Sequence, residues 1–390
     1  MSELNATNLR KEHGNEGPDL VGTTELTSPY FMVPPSGSTE ERPQNPEKGT
    51  LRFNTDIGSL EYFKGNTLGW ESINRTTPNL GGGTGSNTGL GGRGCFTGGY
   101  NAGTAYLNTI DYITISTLGD AQDFGDTLDP IKGQATGASR TRLAMWGGQS
   151  PGGYQDNVTY VTFASTGNAT DTGDLVTACR SSGLSNQIRG IIAGTVPYTN
   201  TMEYSNIATL GDTKDYGDLT AVRGYVYTLA STTRGIIAGG LNNPTAPAIN
   251  IIDYTTIMTT GNASEFGDLN RGTSAYEGIG FSNATRGVFA AGYDPTNYSN
   301  VIDYITIATL GNSVDFGDLT NISGTGKFGC SSPTRGIIGG GYKASPSPGY
   351  TTIIEYIEIM TTGNAKDFGD LTVDRRSLTD NGSSNAHGGL

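Results

Sequence analysis

The residues that could do chemistry are few in kind. The chain of 390 residues contains two histidines, His13 and His387, and three cysteines, Cys95, Cys179 and Cys330. A copper centre of His and Tyr ligands, a Ser-His-Asp triad or a Cys-His pair each needs a histidine beside its other reactive groups. His13 lies in a polar N-terminal stretch and His387 near the C-terminus, so the body of the chain offers none. The cysteines are odd in number and lack Cys-x-x-Cys spacing, which excludes a zinc pattern and a disulfide framework and fits synthesis in a reducing compartment. Carboxylates are abundant, and a pair of them could hydrolyse a glycosidic bond. The conspicuous ones, however, form two columns: Asp126, Asp174, Asp218, Asp268, Asp318 and Asp370, and, three residues earlier, Asp123, Asp171, Asp215, Glu265, Asp315 and Asp367. A catalytic pair is needed once. Recurrence at fixed spacing predicts a structural role, with the first column bonding backbone N–H groups in turns beside a glycine. The glycine run at residues 81–92 is no phosphate loop, because no Gly-Lys-Ser/Thr follows it. No cofactor and no metal are therefore expected.

The elements that must position these residues follow from a repeat. From residue 93 onward the chain contains six copies, marked by an Arg column at Arg93, Arg142, Arg189, Arg234, Arg286 and Arg335. A Tyr column follows at Tyr112, Tyr160, Tyr204, Tyr254, Tyr304 and Tyr356, and then the Gly-Asp column. Each copy reads as four strands: a small-residue segment, an apolar run of the type RGIIAGG, a β-branched run of the type IDYITI, and a run containing DFGDL. No segment holds a helical period for ten residues. Four antiparallel strands every 40–50 residues predict β-propeller blades, which must stack around an axis because no blade can bury both its faces alone. The column arginines are expected to form buried or interblade pairs with carboxylates.

The predicted fold is thus all-β, a six-bladed propeller over residues 93–390. The first copy begins with its second strand, and residues 383–389 (SSNAHGG) align with residues 281–287 (FSNATRG). The C-terminal segment is therefore expected to supply the missing first strand of the first blade and so to remove open edges. The Tyr-to-Gly spacing is 13 residues in all six copies, whereas the Arg-to-Tyr spacing is 19, 18, 15, 20, 18 and 21. Variation thus falls in the loops between second and third strands, on the face shared with the fourth-to-first loops. Such loops on a rigid scaffold carry recognition. They hold Tyr106, Tyr154, Tyr198, Tyr298 and Tyr350, the predicted ligand-binding residues, together with Tyr100, Tyr293 and Tyr342. Tyrosine offers an apolar ring with a polar tip at low entropic cost, which suits glycans and protein loops.

Ahead of the repeat, residues 1–46 read as an extended, polar and proline-rich arm, 47–75 as a small β-meander, and 76–92 as a glycine-rich linker. The meander is too small to hold a core alone, so it is expected to attach to copies of itself or to a host structure. With 24 basic and 37 acidic residues the chain is strongly acidic, which disfavours nucleic acid and anionic lipid. No apolar run approaches the length that spans a bilayer, and no signal peptide is evident at the N-terminus.

Two resemblances carry the functional expectation. The apolar strand ending in a double glycine, as in Gly98-Gly99, Gly147-Gly148, Gly239-Gly240 and Gly339-Gly340, followed by a Tyr-bearing strand, resembles the kelch-type blade of galactose-oxidase-like propellers. The kelch Trp is missing, and one copy reads Ala291-Gly292 and another Gly194-Thr195. The segment PPSGSTEERPQNPEKGTLRFNTDIGSLEYFKGNTLGW is similar to a module of tail-fibre-like virion proteins of cyanobacterial phages. That resemblance implies a non-enzymatic virion protein, assembled in the host cytoplasm. It would be attached to other virion proteins through residues 1–75, be homo-oligomeric, and present its propeller to a host-surface glycan or protein. The alternatives are a decoration or fibre-base protein that binds only virion proteins, and an envelope glycan hydrolase.

Overall fold

The computed structural model describes residues 34–56, 59–67, 69–72, 92–101, 106–244, 248–270, 276–293, 298–320, 325–343, 349–379 and 382–390. Most of the predicted arm and of the glycine-rich linker lies outside the described residues. The chain divides into two compact units, residues 1–77 and 78–390. Among the described residues every regular element is a strand, and no helix is long and apolar enough to cross a membrane.

In the N-terminal unit Leu51–Asn54, Ser59–Phe63 and Trp70–Ser72 form an antiparallel meander, and Ser36–Gly37 adds a parallel edge. So few residues cannot build an apolar core, and a charge cluster stands in for it. Glu61 is fully buried, 2.5 Å from Arg42 and 3.6 Å from Arg52. Both guanidinium groups lie about 6 Å from the Trp70 ring, at 5.9 and 6.0 Å. The Arg42 hydrogen bond holds the Glu61 carboxyl below its usual range.

In the C-terminal unit the repeats form six four-stranded antiparallel sheets, with a two-stranded ribbon, Tyr342–Lys343 and Gly349–Tyr350, beside the sixth. The fourth is representative: Tyr227–Ala230, Arg234–Ala238, Ile251–Thr256 and Ser264–Asp268, paired in chain order. Burial falls along that order. The first strand is buried at every position, the third alternates, and the fourth begins exposed. A strand covered on both faces needs small or apolar side chains throughout, which is why the first strands are built from Gly, Ala, Ser and Thr with a few large residues. The first sheet departs from chain order: Gly382–Ser384 pairs with Arg93–Thr97, with Ser383 opposite Cys95.

Two sets of bonds join each sheet to the next. On the first strands a hydroxyl donates to a carbonyl of the preceding sheet: Ser185 to Ala138 at 3.1 Å, Thr228 to Gly183 at 2.8 Å, Ser282 to Ala230 at 2.6 Å and Ser331 to Ser282 at 2.7 Å. Ser384 then donates to Ser331, and Thr136 to Gly382 at 3.0 Å, so the C-terminal strand stands between the sixth and second sheets. On the fourth strands, the N–H of each column Asp donates to an Asn or Asp side chain of the following sheet. Asp218 reaches Asn262 at 3.1 Å, and Asp370 of the sixth sheet reaches Asp120 of the first at 3.0 Å.

The second set revises the expected role of the Asp column. Asp126, Asp174, Asp218, Asp268, Asp318 and Asp370 end the fourth strands rather than occupy turns, and their recurring bond uses the backbone N–H, not the carboxylate. The cause is a β-bulge. Ile252 faces Gly267 while Asp253 faces Glu265, so Phe266 is the extra residue and turns into the core. The same register shift occurs in all six sheets. Gly267 has φ 156°, and a Cβ there would lie 2.4 Å from the Gly311 carbonyl oxygen, so the bulge and the close sheet approach both require glycine.

The Arg column also differs from expectation. Each guanidinium stacks on the column Tyr of its own sheet, at 4.2–4.8 Å from the ring centroid. Each also donates to a main-chain carbonyl of the following sheet, Arg234 to Ile307 at 2.7 Å and Arg335 to Ile115 at 3.3 Å, for example. Among the described residues only Arg335 adds a carboxylate, Glu358 at 3.0 Å. A planar cation with five donors can stack and bond at once, and a carbonyl satisfies it without burying a second charge.

Candidate functional site: a tyrosine and arginine mouth

Tyrosines from the connections between second and third strands, with Tyr154 in the strand Gly153–Thr162, meet tyrosines and cations in or next to the fourth-to-first loops, where Arg180 opens the strand Arg180–Ser185. The rings form a continuous series. Tyr198 lies 6.1 Å from Tyr225, Tyr225 is 6.2 Å from Tyr276, and Tyr276 is 5.5 Å from Tyr293. The series continues through Tyr298 at 5.0 Å, Tyr342 at 5.9 Å and Tyr350 at 5.7 Å to Tyr100 at 5.9 Å. Most contacts are edge-to-face or tilted, the geometry that aromatic quadrupoles favour.

Three cations extend and stitch this series. The Lys132 ammonium sits 4.8 Å from Tyr100 and 4.6 Å from Tyr106. Arg180 lies 5.1 Å from the Tyr225 ring and 5.8 Å from Tyr154, and its Nη2 donates to Tyr225 Oη at 2.6 Å. Arg376 approaches Tyr100, Tyr342 and Tyr350 at 4.9, 5.5 and 5.9 Å and donates to Thr325 Oγ1 at 2.9 Å. All five tyrosines singled out from the sequence, Tyr106, Tyr154, Tyr198, Tyr298 and Tyr350, therefore join one cluster.

Among the described residues a single carboxylate, Glu277, stands among these groups. Burial pushes its carboxyl up to about 7, against the opposing pull of Arg376, Arg180 and Lys132. Burial likewise raises the phenols of Tyr100 and Tyr276 to about 12, so both remain protonated at neutral pH. Glu277 and Tyr225 occupy equivalent positions two residues before a first strand, with φ 56° and φ 59°. The corresponding residues before the second and sixth sheets are Gly133 and Gly326, with φ 66° and φ 69°. Left-handed backbone disfavours any residue with a Cβ by about 1 kcal/mol or more, so Tyr and Glu here are retained against a local cost.

Because Glu277 titrates at about 7 in the folded chain and near 4.5 when unfolded, its stabilising contribution is complete below 4.5 and is lost as pH rises through 7. Glu277→Gln mimics the protonated form. It is expected to match the parent at pH 4.5 and to be more stable by roughly 2 kcal/mol at pH 8, the shift being discounted for partial solvation. Thermal unfolding at the two pH values checks this, and an equal difference at both would contradict it. The groups facing Glu277 are Arg376, Arg180 and Lys132, with Tyr276, Tyr225, Tyr198, Tyr298 and Tyr100 around them.

Sequence reasoning missed Tyr225, Tyr276, Glu277, Lys132, Arg180 and Arg376, because they lie in or at the end of fourth-to-first loops, which vary in length and carry no repeat column there. The non-glycine residues at Tyr225 and Glu277, where other copies hold Gly, were the available signal. His13 lies outside the described residues. His387 is driven down to about 4 by burial and bonds the Ala138 carbonyl at 2.9 Å. Cys95, Cys179 and Cys330 are buried and free, with thiols raised by burial in the first two. Among the described residues no group of three or more His, Cys, Asp or Glu is arranged to hold a metal. Compared with known proteins, the chain matches no protein-family model and no curated protein.

Proposed function

We propose that the chain is a non-enzymatic, tail-fibre-like virion protein, attached through residues 1–75 to other virion proteins as a homo-oligomer, whose C-terminal unit is a closed six-bladed, kelch-like propeller that recognises a host surface. Closure is supported by the two series of inter-sheet bonds, each of which passes from the sixth sheet back to the first through Ser384 and Asp370. The observation that carries the recognition reading is the tyrosine series itself. Ten of the chain's 20 tyrosines gather in it or beside it on the variable-loop face. Packing alone would distribute them among the sheets as it does the Tyr column. The virion assignment rests on the resemblance of the 34–70 segment.

The test is saturable adsorption of the labelled full chain to a panel of cyanobacterial cells, with Tyr154→Ala and Tyr298→Ala as variants. Adsorption weakened by both variants supports the reading. Absence of adsorption to every strain, with labelling of phage particles by an antibody to the chain, favours the decoration alternative. Release of reducing ends from envelope polysaccharide, abolished by one carboxylate substitution, would replace the reading with a glycan hydrolase.

A further inference from the structure

The mouth differs in charge from the rest of the molecule. The chain carries a net charge of −13, yet among the described residues three cations and one carboxylate converge here. Among the described residues Lys132, Arg180 and Arg376 form no ion pair within 4 Å, unlike the buried Arg223 and Arg375. The Nε atoms of Arg180 and Arg376 are buried without a hydrogen-bond partner among the described residues, as are those of Arg189, Arg223 and Arg375, so it is the gathering of cations in one place that sets this cluster apart. Three cations gathered on tyrosine faces, with Glu277 as the one carboxylate beside them among the described residues, leave positive charge that an anion can meet. The backbone adds an independent indication. Tyr225, which bonds Arg180, and Glu277, which lies among the cations, occupy left-handed positions that two other copies fill with Gly133 and Gly326.

We propose that this mouth binds an acidic oligosaccharide, its carboxylate or sulfate held by Arg180, Arg376 and Lys132 and its pyranose rings stacked on the adjoining tyrosine faces. The inference rests on the recognition reading above and narrows it to a ligand class. A sugar fits better than an acidic peptide because the surface offers a run of ring faces. Glu277 accepts sugar hydroxyls when ionised and weakens its repulsion of the anion when protonated. The affinity for acidic sugars is therefore expected to rise as pH falls from 8 to 6.

The experiment is calorimetric titration of the full chain with polygalacturonate oligosaccharides, dextran sulfate, neutral dextran and poly-glutamate. Uronate or sulfated sugar should bind and neutral dextran should not, and the preferred acid group identifies the anion. Arg180→Gln with Arg376→Gln should weaken binding about tenfold or more, with Arg180→Lys losing less, and added salt should weaken the parent. Unchanged thermal unfolding of Tyr154→Ala, at a ring that is 37% exposed, keeps a second variant interpretable if the arginine variants fold poorly. Neutral dextran binding as tightly as the acidic sugars, or arginine variants without effect, would overturn the inference while leaving cell adsorption intact. Tighter binding of poly-glutamate would replace the sugar with a peptide. Loss of cell adsorption as well would remove the recognition reading on which the inference stands.

Discussion

A chain ending at Asp374 is expected to lose more than about 5 kcal/mol and to melt at least 10 °C below the parent, with Cys95 becoming reactive toward thiol reagents. The missing residues act at three places. Gly382–Ser384 covers the edge of Arg93–Thr97, and without it the backbone groups of that strand lose their partners. Ser384 and Gly382 carry the hydroxyl-to-carbonyl series between the sixth and second sheets. Arg375, fully buried 3.1 Å from the equally buried Asp111, would leave that carboxylate with only the Thr372 donors. Removing one partner of a buried pair costs about 3–5 kcal/mol by itself. His387 adds its bond to Ala138, so the tail also engages the second sheet. Cys95 is fully buried opposite Ser383, which makes it the reporter of the opened edge. An unchanged melting temperature with Cys95 still protected would refute ring closure.

Arg223→Leu should destabilise the protein by about 3–5 kcal/mol, and Arg223→Leu with Asp253→Leu by much less than the single change. Both partners are wholly buried, with Nη2 2.6 Å from Asp253 Oδ2. Arg223 Nη1 also donates to the Ile251 carbonyl at 2.9 Å, and Thr220 bonds the carboxylate through its hydroxyl and its N–H. Desolvation holds the Arg223 guanidinium below its usual range, so the pair offsets a large burial cost rather than adding a large surplus. The asymmetry follows: an orphaned Asp253 keeps the cost without the attraction, whereas two apolar residues avoid both. Denaturant unfolding of the three proteins measures the coupling. A double variant as unstable as the single one would show that Asp253 and Thr220, not the ion pair, hold this junction.

Repeated four-stranded antiparallel sheets were legible because their causes are local and periodic. An apolar run with β-branched residues makes a strand wherever it occurs, and six copies at nearly constant spacing make the pattern hard to mistake. The roles inside the pattern were less legible. The Asp and Arg columns were visible as columns, but a sequence does not say whether an Asp bonds through its carboxylate or its N–H. That depends on a bulge whose extra residue, such as Phe266, is defined only by the partner strand. The buried carboxylates before the column Tyr, Asp111, Asp253 and Glu355, were likewise in view, while their partners Arg375, Arg223 and Lys327 sit in loops of unrelated length.

The mouth divides in the same way. Tyr106, Tyr154, Tyr198, Tyr298 and Tyr350 could be named from loop variability and side-chain chemistry. That they touch one another, directly or through Lys132, Arg180 and Arg376, comes from stacking sheets so that loops far apart in the chain converge on one face. By itself the order of residues determined which segments are strands, how they recur and which loops are free to differ. Only the tertiary structure decided which charges are buried in pairs and which stand without an ion pair, because charge energetics depend on distance and desolvation, and neither exists until the sheets are packed.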